Sequence, residues 1–179
     1  MKKSFILIMA LALITACKPS REKSAGDITA MEKRLFTQAE QGITKEAIDS
    51  LMAKYEDFVK RFPKDSLAPV YLFKAGGIAM NSGDGGKAIA LFDQLIKDYP
   101  NHEKAPLGMF FKGYTQENLL KNLDLAKETY LLFIEKYPGH EFADDAQSSI
   151  DNLGKSPEQM IREFEAKRKA DSLATAQKK

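Results

Sequence analysis

The side chains with most chemistry to offer are few: one cysteine, Cys17, and two histidines, His102 and His140, in a chain of 179 residues without tryptophan. A thiolate is a nucleophile or a soft ligand, and imidazole exchanges protons near neutral pH. One cysteine closes no intrachain disulfide. The histidines stand 38 residues apart, each two residues after a proline, which gives no paired ligand spacing and marks them as turn features. His140 with Glu141, Asp144 and Asp145 reads as an acidic first helical turn that complements the helix dipole, ahead of a weak cation site. Gly83, Gly85 and Gly86 before Lys87 invite a phosphate-loop reading. That loop needs a glycine five positions before Gly86, where Asn81 stands, and a preceding strand. Asp84 lacks the alternating oxygen ligands of a calcium loop, so the segment is a helix–helix turn. No serine or cysteine occupies a nucleophile setting. The expectation is a protein that is not an enzyme, with no catalytic residue, no metal and no cofactor.

The position of Cys17 assigns it a different chemistry. Met1-Lys2-Lys3-Ser4 is a short positive segment, Phe5 to Ile14 is a ten-residue apolar run, and Thr15-Ala16 are small residues before the cysteine. This is the three-part layout of an export signal. As a helix the run rises about 15 Å, half of a hydrocarbon core of about 30 Å, which disfavours a permanent span. Ile14-Thr15-Ala16-Cys17 resembles a bacterial lipobox. The resemblance implies diacylglyceryl attachment to the Cys17 sulfur, cleavage before it, and fatty acylation of the new amino group, for example with palmitate. Each buried methylene contributes about 0.8 kcal/mol, so two or three chains hold a protein on a membrane. Among lipoproteins of this kind an aspartate after the cysteine favours the inner membrane, and Lys18 stands there instead. Lys18 to Lys23 is mixed and mostly basic rather than the acidic run of surface-displayed lipoproteins. The expected location is the outer membrane, with the domain facing the periplasm. Residues 1–16 are the signal peptide and 17–27 the lipidated cysteine with a flexible tether.

Charge follows from this division. The 27 Lys plus Arg against 25 Asp plus Glu give +2. Lys2 and Lys3 leave with the signal, so the mature chain carries 25 of each. A balanced domain has no net field to draw in nucleic acid.

The elements that carry these residues repeat. Phe62-Pro63, Tyr99-Pro100 and Tyr137-Pro138 are aromatic–proline pairs separated by 37 and 38 residues, a solenoid period. Leu67-Ala68-Pro69, Lys104-Ala105-Pro106 and Phe142-Ala143-Asp144 recur at one offset after each proline, and Gly76 and Gly113 recur as well. Ile48, Leu51, Met52, Tyr55, Phe58, Val59 and Phe62 follow the spacing of one helix face. Each proline ends a helix, while Pro69 and Pro106 sit in first turns, where a missing N–H costs little. The pattern predicts helices near 28–41, 45–62, 67–80, 87–99, 104–119, 124–137, 142–153 and 157–174. Ser156-Pro157-Glu158-Gln159 combines a cap residue, proline at the first helical position and the glutamine of a capping box.

Gly76, Ala88, Phe92 and Pro100, and again Gly113, Ala126, Tyr130 and Pro138, resemble the small, small, aromatic and proline positions of the tetratricopeptide repeat. The resemblance implies an all-α fold, a right-handed superhelix of about three helix pairs plus further C-terminal helices. Residues 28–155 form the solenoid, and 156–179 a capping helix with a basic frayed tail, in which Met160, Ile161 and Phe164 cover the end of the stack. Carrying over the family's groove positions gives Val70, Phe73, Gly77 and Met80 on one helix and Leu107, Phe110, Tyr114 and Glu117 on the next. Phe73 and Phe110 replace the lysines of a carboxylate clamp, so the groove is apolar and suited to a peptide with hydrophobic anchors, unless these side chains fill it themselves.

With its signal, the chain is similar to tetratricopeptide-repeat outer-membrane lipoproteins, among them that of the β-barrel assembly machinery and the periplasmic coordinator of the Tol-Pal system. The resemblance implies a lipid-anchored scaffold that binds envelope proteins, in outer-membrane protein assembly. The alternatives are a periplasmic peptide-binding or chaperone-like module and a coordinator of envelope constriction and peptidoglycan synthesis.

Overall fold

The computed structural model describes residues 19–37 and 42–176. Among them the chain forms eight helices and no strand: α1 (Arg21–Thr37), α2 (Lys45–Arg61), α3 (Leu67–Asn81), α4 (Gly85–Asp98), α5 (Lys104–Asn118), α6 (Leu123–Lys136), α7 (Ala143–Asn152) and α8 (Pro157–Ala176). The signal, Cys17 and the last residues of the first expected helix, 38–41, lie outside the described residues.

The aromatic–proline pairs end three helices in one geometry. Phe62, Tyr99 and Tyr137 have φ of −128°, −134° and −133° and ψ of 55°, 52° and 55°. The ring of a following proline keeps its predecessor out of the α region, so the helix stops there. Two residues beyond each proline, a side chain accepts the backbone N–H that opens the next helix. Asp65 accepts from Leu67 at 2.9 Å, His102 Nδ1 from Lys104 at 3.1 Å and His140 Nδ1 from Phe142 at 3.2 Å. Both histidines therefore hold turns. At the opposite edge Asp84 caps α4 through Lys87 N at 3.0 Å and Asn122 caps α6 through Leu125 N at 3.1 Å. The extra residue of the second turn is taken up at Lys121, whose φ is +54°.

Consecutive helices pack on one another from α1 to α7, and α3 also meets α5. A Cβ on Gly76 would come within 2.5 Å of the Phe92 ring, and one on Gly113 within 2.8 Å of the Tyr130 ring. Only glycine lets these helices approach so closely around a filled aromatic slot. Ala88 and Ala126 are fully buried beside them, while Pro100 and Pro138 are exposed in their turns. The core has one cluster from α1 to α4 and a second from α5 to α7, and Phe111 packs against both.

Two expectations are corrected. Residues 21–27, read as tether, are the first two turns of α1. Ser24, Ile28, Met31 and Leu35 are buried along one face, and Ser24 is small enough for Arg61 to reach its Oγ at 3.2 Å. The polar composition of that stretch hides a helix held by tertiary contacts. At the other end, α8 starts on the expected capping box, with Gln159 N donating to Ser156 Oγ and Ser156 N donating to Gln159 Oε1. It stays helical to Ala176, but Met160, Ile161 and Phe164 are exposed rather than packed over the end of the stack. Gly154 takes a φ of +74° before it, and the helix departs from the stack after the Lys155–Glu163 ion pair at 2.6 Å.

Candidate functional site

The groove residues carried over from the repeat separate into two groups. On α3, Val70, Phe73, Gly77 and Met80 share a stripe and are all half-buried. Lys104 Nζ sits 5.9 Å from the centre of the Phe73 ring, and Phe111 comes within 5.9 Å of it. On α5, Leu107 is half-buried and Tyr114 exposed, but Phe110 is only 8% exposed. Its ring lies 4.8 Å from Phe142, 5.7 Å from Tyr130 and 5.8 Å from Phe133. Phe110 thus differs from the expectation: it is a core residue. The reason is Phe142, which stands where Lys104 stands one repeat earlier and seals the ring that Lys104 leaves half open.

Glu117 accepts from the Tyr130 hydroxyl at 2.9 Å. Burial raises the Tyr130 phenol well above its usual range, and the Glu117 carboxylate raises it further, so the hydroxyl remains a donor. Tyr55 is raised in the same way, by burial and by its 2.6 Å bond to Glu32. Beside this pair, Gln116 accepts from Thr129 at 2.7 Å. Glu117 also lines an open cleft of about 470 Å³ with Lys121, Asn152, Lys155 and Met160. This cleft lies between the α5–α6 and α7–α8 turns.

The outer face of α6 escaped the reading of the sequence. Leu125, Leu131 and Leu132 are exposed there, Leu131 by 49%. The positions 38 residues earlier, on α4, are Lys87, Asp93 and Gln94, and Asp93 is paired with Lys112 at 2.7 Å. Aligning the two repeats position by position would have found the difference. On α8 the apolar residues Met160, Ile161 and Phe164 continue the theme, with Phe164 66% exposed. Among the described residues, candidate surfaces are a partly self-filled stripe on α3 and α5, the leucine-bearing face of α6, and the free apolar side of α8.

Among the described residues, no three His, Cys, Asp or Glu side chains gather closely enough to hold a metal ion. No helix among them is long and apolar enough to cross a membrane. No curated protein matches the chain. The YfiO family, described as outer membrane lipoprotein, matches residues 29–177, from within α1 to the end of α8. A stack of small-and-aromatic helix pairs that matches this family over most of its length belongs to it: the chain is a member of the YfiO family of outer membrane lipoproteins.

Proposed function

We propose that the chain is a scaffold, anchored through acyl chains on Cys17 and facing the periplasm, that binds another envelope protein through the outer face of α6. The observation that carries this reading is the run of exposed Leu125, Leu131 and Leu132 where the preceding repeat has Lys87, Asp93 and Gln94. In a helix of about 3.6 residues per turn Leu125 and Leu132 share one side of the exposed surface and Leu131 lies about 100° round from Leu132, with the exposed Glu128 and Glu135 between them, so the face offers apolar contacts on both sides of an acidic ridge. Membership of an outer-membrane lipoprotein family, with the resemblance to the assembly-machinery lipoprotein, supports outer-membrane protein assembly as the process.

The test is crosslinking in cells with Leu131→Lys/Leu132→Lys. Both side chains are exposed and the new lysines stand i,i+3 or i,i+4 from Glu128 and Glu135, so stability should change by no more than about 0.5 kcal/mol, while the membrane proteins crosslinked to the wild-type chain are lost. Their full recovery with the double variant would remove the α6 surface. A second reading, a peptide-binding module, is favoured by the half-buried Phe73 and the exposed Tyr114. It requires that Tyr114→Glu, rather than the leucine variant, abolish capture. Phe110→Glu does not serve either reading, because it buries a charge in the core.

A further inference from the structure

The start of α1 at Arg21 leaves almost no tether. Cys17 and Pro19 are two residues apart, a reach of at most about 7 Å. From Pro19 onward the chain is held to the body of the protein. The Pro19 carbonyl accepts from the Arg61 guanidinium at the end of α2, and Arg61 also donates to Asp57 at 2.9 Å and to Ser24 at 3.2 Å. Arg21 then closes a two-pronged contact on Asp65, at 2.6 and 3.0 Å. Asp65 belongs to the α2–α3 turn and is itself fixed by Leu67 N.

We propose that this clamp sets the orientation of the domain on the membrane, with the α2–α3 turn, Phe62 to Ser66, laid against the phospholipid headgroups of the leaflet that holds the anchor. The proposal rests on acylation of Cys17. Two arginines and one aspartate fix the point where the anchor leaves the fold, and the covalent reach from there is shorter than one turn of linker. The turn suits headgroups: Lys60 and Lys64 are exposed on either side of Pro63, and each basic side chain near an anionic surface contributes about 1 kcal/mol. From this turn α3 rises about 22 Å over its 15 residues. Its far end at Ser82 therefore points away from lipid. The cleft beside Glu117 and Lys155 opens at the same far edge and is presented to the periplasmic space rather than to the bilayer.

The absence of tryptophan makes the orientation measurable. The acylated full-length chain, carrying Ser66→Trp or Ser82→Trp, is reconstituted into phosphatidylethanolamine–phosphatidylglycerol vesicles containing a headgroup-region spin-labelled lipid. Both sites are exposed, and neither takes part in the clamp or the basic pair. Quenching of the residue 66 tryptophan should exceed that of the residue 82 tryptophan at least threefold. Equal quenching overturns the proposal, as does stronger quenching at 82. Ten Gly/Ser residues inserted between Cys17 and Lys18, with an r.m.s. span of about 17 Å, should keep the protein on floated vesicles while quenching at 66 falls. Undiminished quenching in that variant would show that the clamp does not set the orientation. Failure to float without the insertion, unchanged by Cys17→Ser, would instead refute the anchor.

Discussion

The repeats α3–α4 and α5–α6 begin from one plan and end with different surfaces. Each places a glycine of its first helix against an aromatic ring of its second, Gly76 on Phe92 and Gly113 on Tyr130. Around that shared joint the substitutions diverge. Phe73 is half open beneath Lys104, whereas Phe110 is sealed by Phe142. The ring of Phe92 ends in carbon, whereas Tyr130 adds a hydroxyl bonded to Glu117. The outside of α4 carries Lys87, Asp93 and Gln94 where that of α6 carries Leu125, Leu131 and Leu132 among its charged residues. The earlier repeat thus leaves Phe73 half open and keeps its outer face polar, while the later one encloses Phe110 and exposes leucines on its outer face. Identical backbone packing therefore leaves the choice of binding face to a few side chains at the margins of the joint.

Truncating the equivalent phenylalanines tests that contrast most severely. Phe110→Ala should cost about 3–5 kcal/mol, as expected for a fully enclosed ring, and Phe73→Ala about half as much. Urea unfolding of the two variants measures both. Equal losses would mean that Phe142 and Lys104 cover their rings equally well.

A smaller effect separates the two second-helix aromatics. Tyr130→Phe keeps the packing against Gly113 but removes the donor to Glu117, for a loss of about 1 kcal/mol. Phe92→Tyr, which has no equivalent carboxylate, should bring no gain. Thermal unfolding of this pair checks the assignment, and a stabilised Phe92→Tyr would contradict it.

The mildest test concerns the turns. At equivalent positions the first turn uses Asp65 and the later ones use His102 and His140. The Arg21 guanidinium beside it holds the Asp65 carboxyl below the usual carboxylate range, with a further lowering from Leu67 N–H. A carboxyl lowered on folding adds stability above its unfolded pKa of about 4, and that stability disappears as pH falls through the folded value. Acidification below about pH 4 should therefore lower the protection of α1 amides relative to their intrinsic exchange rate at that pH, and Asp65→Asn should lower it at neutral pH. Protection in α1 indifferent to both would show that the Arg21–Asp65 contact does not hold the helix.

Much of the fold is legible in one dimension because its signals are local. Proline stops a helix wherever it stands, so Pro63, Pro100 and Pro138 announced three boundaries within about a residue. The capping box at Ser156 could likewise be read from four letters. Gly76 and Gly113 were visible as a period, and the packing against Phe92 and Tyr130 follows from it. Other features had no such signal. The first turns of α1 are polar, and they are helical because Arg21 and Ser24 find partners on the α2–α3 turn and on α2, 44 residues away in the case of Arg21 and Asp65, and Ile28 is buried in the core cluster. The groove transferred from the repeat misplaced Phe110 for the same reason, since its exposure depends on Phe142 in the next repeat.

The sequence by itself determined the class of the protein: a short apolar run ending in the chain's one cysteine, nearly equal numbers of basic and acidic residues, and helix pairs of fixed period. These depend on covalent geometry and on patterns repeated within a turn or a repeat unit. Only the tertiary structure decided which apolar side chains are consumed by the core and which remain outside. It also decided that α8 stands free rather than capping the stack, and that the chain from Pro19 onward is held to α2. Burial is a property of neighbours distant in sequence, and no local pattern specifies whether such a neighbour arrives as a phenylalanine, a lysine or water.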